Sequence, residues 1–367
     1  MREFWSMLLV LCLILGACTV LYIRADRPNT RKQESSSTMG TTATTLPTST
    51  TNTTGTTGTT GTTGTTGTTG TTGTTAPPTT GTTAPPTTGT TAPPTTETTA
   101  PNPPVVLPLE AKYAFAYDDA TGQMLYTHGD LYQACSPASI TKIFTAYVAL
   151  QILSPESQVQ VGSEIYMINP YSSIAQLSTG DILTVEQLIA GMMLPSGNDA
   201  AYTVAVAAGR TLAQDSNLPA TQALERFMDR VNQQVAELGL VNTHFVTPDG
   251  IDAQGHYSCA YDILTMTLEV YRNPIIRRYA AMAEYSFTSP SGKQFSWKNS
   301  NMLLHSDSAY YIPQAVGMKT GSTDLAGNCL VSLFEVDGRL VCICVLGCET
   351  TQQRYDDTLL LYKYACP

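Results

Sequence analysis

The amino-acid sequence predicts an α+β domain, built as an antiparallel sheet flanked by helices with a helical subdomain inserted in its middle. Two observations support this fold class. Segments with the alternation and turn residues of β-strands lie near both ends of the region 112–367, and the segments between them have the apolar spacing of amphipathic helices. Strands from the two ends would then share one sheet.

The elements follow from local signals. "KYAFAYDDATGQMLYTHGD" is typical of two strands joined by an Asp/Gly turn, and "AGNCLVSLFEVDGRLVCICVLG" of two apolar strands around an Asp337-Gly338 hairpin. "TVEQLIAGMML" predicts a helix capped by Thr184 and ended by Pro195, and "ATQALERFMDRVNQQVAELGL" is the clearest amphipathic helix. Further helices are predicted from Pro137, over "AYDILTMTLEVYRNP" and over "TTQQRYDDTLLLYKYA".

The N-terminal part has a different character. From Phe4 to Ile23 the chain is almost wholly apolar, which is long enough for a membrane-spanning helix. We interpret 1–34 as a membrane anchor and its flank. The alternative is a lipoprotein signal, because "LGAC" at 15–18 resembles a lipobox, at which the chain would be cut and lipidated. Apolar residues continue beyond Cys18, and this favours the uncleaved anchor.

Residues 35–104 are a Thr/Gly/Pro-rich repeat with almost no charge and no core-forming side chains. Such a segment cannot bury enough surface to offset its ordering entropy, so we expect a disordered linker. By the positive-inside rule, the basic residues that follow the apolar stretch would place the C-terminal side of the anchor in the cytoplasm. The composition is nevertheless that of an O-glycosylated stalk. We therefore expect a cell-membrane protein whose domain 105–367 is extracytoplasmic.

Charge and cysteine content exclude some functions. The formal net charge is −10, and no basic run in the domain exceeds a pair, so nucleic acid is not an expected partner. The domain has an odd number of cysteines without a CxxC or a zinc-type spacing, so at least one thiol is free. We expect most of these cysteines to be buried as small apolar side chains, although one or two disulfides remain an alternative.

Ser139 and Lys142 in "SPASITKIFTAYVAL" lie one helical turn apart, so the lysine amine can reach the serine hydroxyl. A lysine can take the serine proton if burial and a second cation lower its pKa. Ser139 also follows Pro137 in a first helical turn, where free backbone N–H groups favour a developing oxyanion. Such a pair arises by chance about once in a few hundred residues, so it needs support.

Two further segments supply that support. "LPSGNDAA" contains Ser196 and Asn198, and "GMKTGSTDLAG" contains Lys319, Thr320 and Gly321. Each segment could be merely a turn or a strand end. In the order S-x-x-K, S-x-N and K-T-G, however, the three form the signature of the penicillin-binding protein and β-lactamase superfamily.

The resemblance extends to one family within this superfamily. "SPASITK", "TPDGIDAQGHYSCAYD", "NSNMLL" and "KTGSTDLAGNCL" resemble motifs of the low-molecular-mass D-alanyl-D-alanine carboxypeptidases, serine peptidase family S11. The match runs from about Lys112 to about Arg354, and it implies the β-lactamase/transpeptidase-like fold. Two residues depart from the family pattern. Cys259 replaces a usual Thr, and Ser322 stands where His or Tyr is frequent.

This resemblance implies a mechanism. Ser139 would attack the carbonyl between two D-alanines of a peptidoglycan stem peptide, and Lys142 would take its proton. Backbone N–H groups of Ser139 and Ser322 would hold the oxyanion, and Asn198 would hold Lys142 and the substrate amide. β-Lactams would acylate the same serine as covalent inhibitors.

The remaining roles concern the leaving group and the terminal carboxylate. Ser196, assisted by Lys319, would pass a proton to the departing D-alanine. Lys319 and Thr320 in the K-T-G segment, which ends at Gly321, would bind the carboxylate. Arg354 would assist them, although an Arg on a C-terminal helix is more often a solvated surface charge. Water would then hydrolyse the acyl-enzyme.

Alternatives stay open at this stage. A β-lactamase of the same fold or a non-catalytic wall-binding protein would share the motifs, and the acceptor could be water or an amine. A Ser-His-Asp hydrolase has little support, because no G-x-S-x-G elbow is present. His256 with Asp249 and Asp252 matches no standard metal-ligand spacing, so neither a metal nor a cofactor is expected.

Overall fold

The computed structural model describes residues 105–367. The predicted membrane anchor over 1–34 and the predicted disordered linker over 35–104 lie outside the described residues and stay predictions. Within 105–367, no helix has the combination of length and apolar character that crossing a bilayer requires.

A five-stranded antiparallel sheet forms the centre of the domain, with strand order β2-β1-β9-β8-β7. Its strands are β1 (Tyr113–Asp118), β2 (Gln123–His128), β7 (Ala315–Thr323), β8 (Gly327–Val336) and β9 (Arg339–Cys348). Two strands therefore come from the start of the domain and three from its end, which confirms the predicted α+β class. Asp337 and Gly338 form the β8–β9 turn with φ of 50° and 75°, as a hairpin turn of this hand requires.

Most of the chain between β2 and β7 is helical, in agreement with the predicted helical subdomain. They are α1 (Thr141–Ile152), α2 (Val185–Met193), α3 (Asn198–Ala213), α4 (Ala220–Glu237), α5 (Ala260–Tyr271) and α6 (Pro274–Ala280), and α7 (Thr351–Ala365) follows the last strand. The predicted cap of α2 is present, because the Thr184 side chain accepts from the backbone N–H of Gln187. Two small two-stranded sheets were not predicted: β3 (Gln158–Gln160) pairs with β4 (Ile182–Thr184), and β5 (Glu284–Thr288) pairs with β6 (Gln294–Lys298).

The central sheet is covered on both faces. Alternate side chains point to opposite sides of a strand, so each strand contributes to two cores. One core lies against the inserted helices and includes Phe115, Val331, Leu333, Cys342 and Cys344. The other lies against α7 and includes Ala114, Ala116, Leu330, Ile343, Val345 and Leu361. Met318 of β7 belongs to the core on the side of the helical subdomain.

The cysteines of the domain are free thiols. Five are buried and two, Cys135 and Cys366, are half-buried. Burial raises the pKa of the thiols, for example to about 11 for Cys329. The interpretation as small buried apolar residues is confirmed, and the disulfides that the sequence left open are not formed among these seven.

Candidate active site

Ser139 lies at the entrance to α1. The helix that the sequence predicts from Pro137 is in fact a 3-10 turn, Ala138–Ile140, followed by α1 from Thr141. Ala138 has φ of 48°, an uncommon conformation for a residue with a side chain, which the surrounding structure must hold in place. Across this junction, Nζ of Lys142 lies 2.7 Å from Oγ of Ser139. The expected nucleophile and base are therefore in hydrogen-bond contact.

Lys142 has no exposed surface. Its Nζ donates to the backbone carbonyl of Asp249 at 2.8 Å. Burial lowers the pKa of Lys142 to about 8, against the opposing effect of the carboxylates of Asp249 and Asp199. A lysine with this pKa is partly neutral near physiological pH and can accept a proton from Ser139.

The S-x-N segment connects α2 to α3. Ser196 is buried with φ of 62°, and Asn198 is the first residue of α3. The resemblance implied that Asn198 holds Lys142, but the hydrogen bond of its side chain goes elsewhere: Nδ2 donates to the carboxylate of Asp249 at 2.6 Å. The lysine amine is engaged by Ser139 and by the Asp249 carbonyl. Asp249 thus joins the two motifs.

The K-T-G segment lies within β7. Lys319 is 1% exposed, and its Nζ donates to the carbonyl of Thr320 at 3.1 Å. Burial, with further contributions from the cations Lys142 and Arg354, holds the pKa of Lys319 well below its usual value. The Thr320 hydroxyl lies 2.6 Å from that of Ser300, in the "NSNMLL" segment. Lys319, Lys142 and Arg354 therefore lie close enough to one another to interact electrostatically.

Gly321 brings β7 into contact with the turn that carries the serine. A Cβ atom at this position would lie 3.0 Å from the carbonyl oxygen of Pro137 and 3.1 Å from the backbone nitrogen of Ser139. The backbone conformation itself does not demand glycine, so the requirement is one of space. This close approach sets Ser322, the next residue of β7, beside Ser139.

Arg354 is not the solvated surface charge that its place on a C-terminal helix suggested. It is 6% exposed, because the first turn of α7 packs against the sheet. Its Nη1 donates to the carbonyl of Gly321 at 3.3 Å, to the hydroxyl of Ser322 at 3.2 Å and to the carbonyl of Cys329 at 3.3 Å. Arg354 therefore supports β7 from behind the K-T-G segment.

His256 has a structural role. Its Nδ1 accepts from the backbone N–H of Val246, and its Nε2 lies 3.0 Å from the hydroxyl of Thr141. Burial lowers the pKa of His256 to about 4, so the ring is neutral near pH 7. No group of three or more potential metal ligands occurs within 105–367.

A cleft of about 380 Å³ is lined by Ser139 and Asn198 from the first two motifs, by Asp249 and by Ser322, which follows the K-T-G segment. Sequence reasoning missed Asp249 as a member of this site. A Pro-Asp-Gly sequence is a turn signal, but it does not indicate that the turn meets Lys142.

A model of a known family matches residues 96–350 and is described as D-alanyl-D-alanine carboxypeptidase. The chain belongs to this family. The site described above is therefore that of a serine hydrolase of the S11 type, which confirms the resemblance inferred from the motifs.

Individual members agree with this assignment. A D-alanyl-D-alanine carboxypeptidase of a Streptomyces strain is 32% identical over 259 residues, covering 68% of this chain and 85% of the relative. DacF of Bacillus subtilis is 28% identical and DacC of Escherichia coli 32%. The chain spans less than two thirds of those two longer relatives, 62% and 60% respectively.

Solved structures confirm the predicted β-lactamase/transpeptidase-like fold. The Streptomyces DD-transpeptidase has a TM-score of 0.63 and 31% identity, covering 71% of this chain and 99% of its own. Penicillin-binding protein D2 of Listeria monocytogenes, solved with ampicillin bound, has a TM-score of 0.58. Its identity is 24%, so that likeness concerns the fold alone.

Proposed function

We propose that residues 105–367 act as a serine-type D-Ala-D-Ala carboxypeptidase, which removes the terminal D-alanine from peptidoglycan stem peptides. One observation carries the proposal. In a chain of this family, Oγ of Ser139 lies 2.7 Å from the amine of a fully buried lysine, beside an open cleft. Nucleophile and base are thereby positioned before any substrate arrives.

Acylation begins with proton transfer from Ser139 to neutral Lys142. Oγ of Ser139 then bonds to the carbonyl carbon between the two D-alanines. The backbone N–H groups of Ser139 and Ser322 hold the resulting oxyanion, and one such donor contributes about 3 kcal/mol to transition-state stabilisation. The close approach at Gly321 supports this pairing of donors.

Collapse of the tetrahedral intermediate releases D-alanine. Ser196 gives its hydroxyl proton to the departing amine and regains one from protonated Lys142, which returns to its neutral form. Lys319 assists this transfer, while Asn198 accompanies the acyl part of the substrate. Lys319 and Thr320 bind the terminal carboxylate, and the buried charge of Arg354 adds to the positive potential there. Water then attacks the ester carbon while Lys142 takes its proton, and that proton passes to Oγ of Ser139 as the ester bond breaks.

The test is release of D-alanine from a peptide ending in D-Ala-D-Ala, with Ser139→Ala measured beside the wild type. Fluorescent penicillin labels Ser139 independently of that assay. Release and labelling that both disappear in the variant support the proposal. A folded wild type that releases nothing contradicts it. Rapid penicillin turnover would then indicate a β-lactamase, and failure to react at all would indicate a wall-binding receptor.

A second candidate, transpeptidation, is favoured by one finding: the Streptomyces neighbour is described as a DD-transpeptidase. The same acyl-enzyme would then react with an amine instead of water. Addition of glycine to the assay distinguishes the two reactions, because transfer yields a peptide ending in D-Ala-Gly. Mass spectrometry of the products gives the ratio of transfer to hydrolysis.

The same proposal includes a location. The apolar stretch 4–23 would tether the chain to the cell membrane, and the stalk 35–104 would carry the domain on the cell-wall side. The support is compositional. Protease added to intact cells should remove the domain from a membrane-bound stub, whereas protection of the domain until the cells are lysed would contradict this orientation.

A further inference from the structure

Asp252 bridges two segments that are far apart in the sequence. Its Oδ1 accepts from the hydroxyl of Ser136 at 2.8 Å and from the hydroxyl of Thr323 at 2.7 Å. Its Oδ2 accepts from the backbone N–H of Leu325 at 2.9 Å. A single carboxylate therefore holds the chain before the 3-10 turn and the chain at the end of β7.

These are the two segments that carry the oxyanion donors of the proposed mechanism. Ser136 precedes Ser139 by three residues, and Thr323 directly follows Ser322. The hydroxyl of Thr323 also accepts from the backbone N–H of Ala326 at 3.1 Å, which extends the bridge into the turn after β7.

We propose that Asp252 is a positioning residue of the oxyanion hole, which sets the spacing between the backbone N–H groups of Ser139 and Ser322. The inference rests on the proposed function. An oxyanion donor acts only within hydrogen-bond distance of the reacting oxygen, so the spacing of the two donors determines how well the site stabilises that charge.

The surroundings explain why this spacing needs a bridge. Ala138, one residue before the nucleophile, has a positive φ and tends to relax unless it is held. Gly321 makes contact with the 3-10 turn but offers no side chain to lock it. The ion pairs within 105–367 do not include Asp252, so hydroxyl and backbone donors, and not a cation, engage this carboxylate.

The experiment compares Asp252→Ala with the wild type as full-length proteins in detergent. Two quantities are measured: the second-order rate constant for acylation by fluorescent penicillin, and kcat and KM for D-alanine release. We expect acylation and kcat to fall together by about 100-fold, the usual effect of misplacing a catalytic group by about 1 Å. KM should change little, because the groups assigned to the substrate carboxylate are untouched.

Asp252→Asn should lose less activity than Asp252→Ala. Its amide oxygen can still accept from the hydroxyls of Ser136 and Thr323, whereas its NH₂ group would face the N–H of Leu325.

The matched control is Asp118→Ala. Asp118 is a buried carboxylate that accepts from backbone N–H groups and from Arg339, and it lies on β1, three strands away from β7. That change should lower Tm and leave the rate constants of the folded protein at the wild-type level.

A purely structural role for Asp252 would give the control's result, a lower Tm with unchanged acylation, and would overturn the inference. If Asp252→Ala does not fold, Ser136→Ala and Thr323→Val each remove one bond to the same oxygen. Both should slow acylation, and their effects should not multiply in the double variant. Wild-type acylation rates in both single variants would also overturn the inference. A wild type that is acylated but releases no D-alanine contradicts the proposed function alone, because the acylation comparison still reports on Asp252.

Discussion

The backbone carbonyl of Asp249 accepts a hydrogen bond of 2.8 Å from Nζ of Lys142. The carboxylate of the same residue accepts one of 2.6 Å from Asn198. Through these two bonds, a turn residue connects the S-x-x-K and S-x-N motifs. The carbonyl also restricts the position of the lysine amine, so that it stays within reach of Ser139.

Acylation should depend on pH through Lys142. The base must be unprotonated, and its pKa is about 8, so the acylation rate should rise with pH and level off above about pH 8. Well below that pH, the rate should fall about tenfold per pH unit, as the neutral fraction does. Stopped-flow acylation by penicillin from pH 5 to 10 measures the profile. A flat profile would contradict the role of Lys142 as base.

Asp249→Asn should move that profile to lower pH. The carboxylate of Asp249 raises the pKa of Lys142, so its removal leaves burial to lower the pKa further. The midpoint of the acylation profile should therefore fall below that of the wild type. Asp130→Asn, at an exposed loop carboxylate, is the control and should leave the midpoint in place. An unchanged midpoint for Asp249→Asn would show that its charge does not act on the lysine.

Lys142→Arg should abolish most acylation although it keeps a positive charge. A guanidinium remains protonated throughout the accessible pH range and cannot accept the Ser139 proton. The expected loss is at least about 100-fold, the lower end of the contribution of a general base. Penicillin labelling at pH 8 measures it. Labelling at the wild-type rate would mean that Lys142 acts only as a charge.

Gly321→Ala should reduce activity and stability together. The new methyl group would meet Pro137 and Ser139 at 3.0 to 3.1 Å, which is closer than side-chain atoms normally approach. Overpacking of this kind costs about 1–3 kcal/mol of folding free energy, and here the displaced group is the nucleophile segment. Thermal unfolding and acylation rates report the two effects. Gly292→Ala, with φ of 86° and open space around it, is the control and should lower stability without slowing acylation.

Arg354→Ala should destabilise the domain. The change leaves the buried carbonyls of Gly321 and Cys329 without the Nη1 donor, at a cost of about 1–3 kcal/mol for each unsatisfied group. Urea unfolding measures the loss. Arg272→Ala removes an exposed arginine from a surface ion pair with Glu269, and it should change stability by less than about 1 kcal/mol. Equal effects of the two changes would contradict the supporting role of Arg354.

Much of the fold could be predicted because its signals are local. The β8–β9 hairpin follows from Asp337-Gly338, and the start of α2 follows from the cap at Thr184. Helix α3 (Asn198–Ala213) was missed because most of its residues are buried and it lacks the polar face that reveals an amphipathic helix. The two small two-stranded sheets were missed because their strands have only three to five residues.

The candidate site likewise has parts that local sequence predicts and parts that it does not. Ser139, Lys142, Ser196, Asn198, Lys319 and Thr320 were identified from three short motifs, since their chemistry is a matter of residue type and local spacing. The parts played by Asp249 and Asp252 were not predicted. Arg354 was predicted to assist carboxylate binding, but its hydrogen bonds to Gly321, Ser322 and Cys329 were not. Each depends on a partner from another segment, such as Asp252 with Ser136, which are 116 residues apart in the sequence.

The sequence by itself determined which family the chain belongs to and which residues are candidates for its chemistry, because the motifs of nucleophile, base and anion-binding groups are encoded within a few consecutive residues. The tertiary structure alone decided how those groups are held. Folding buries Lys142 completely, which lowers its pKa, and brings Gly321 of β7 against the turn before α1 that carries Ser139. Burial and contact between distant segments arise only when the whole sheet and helical subdomain have assembled.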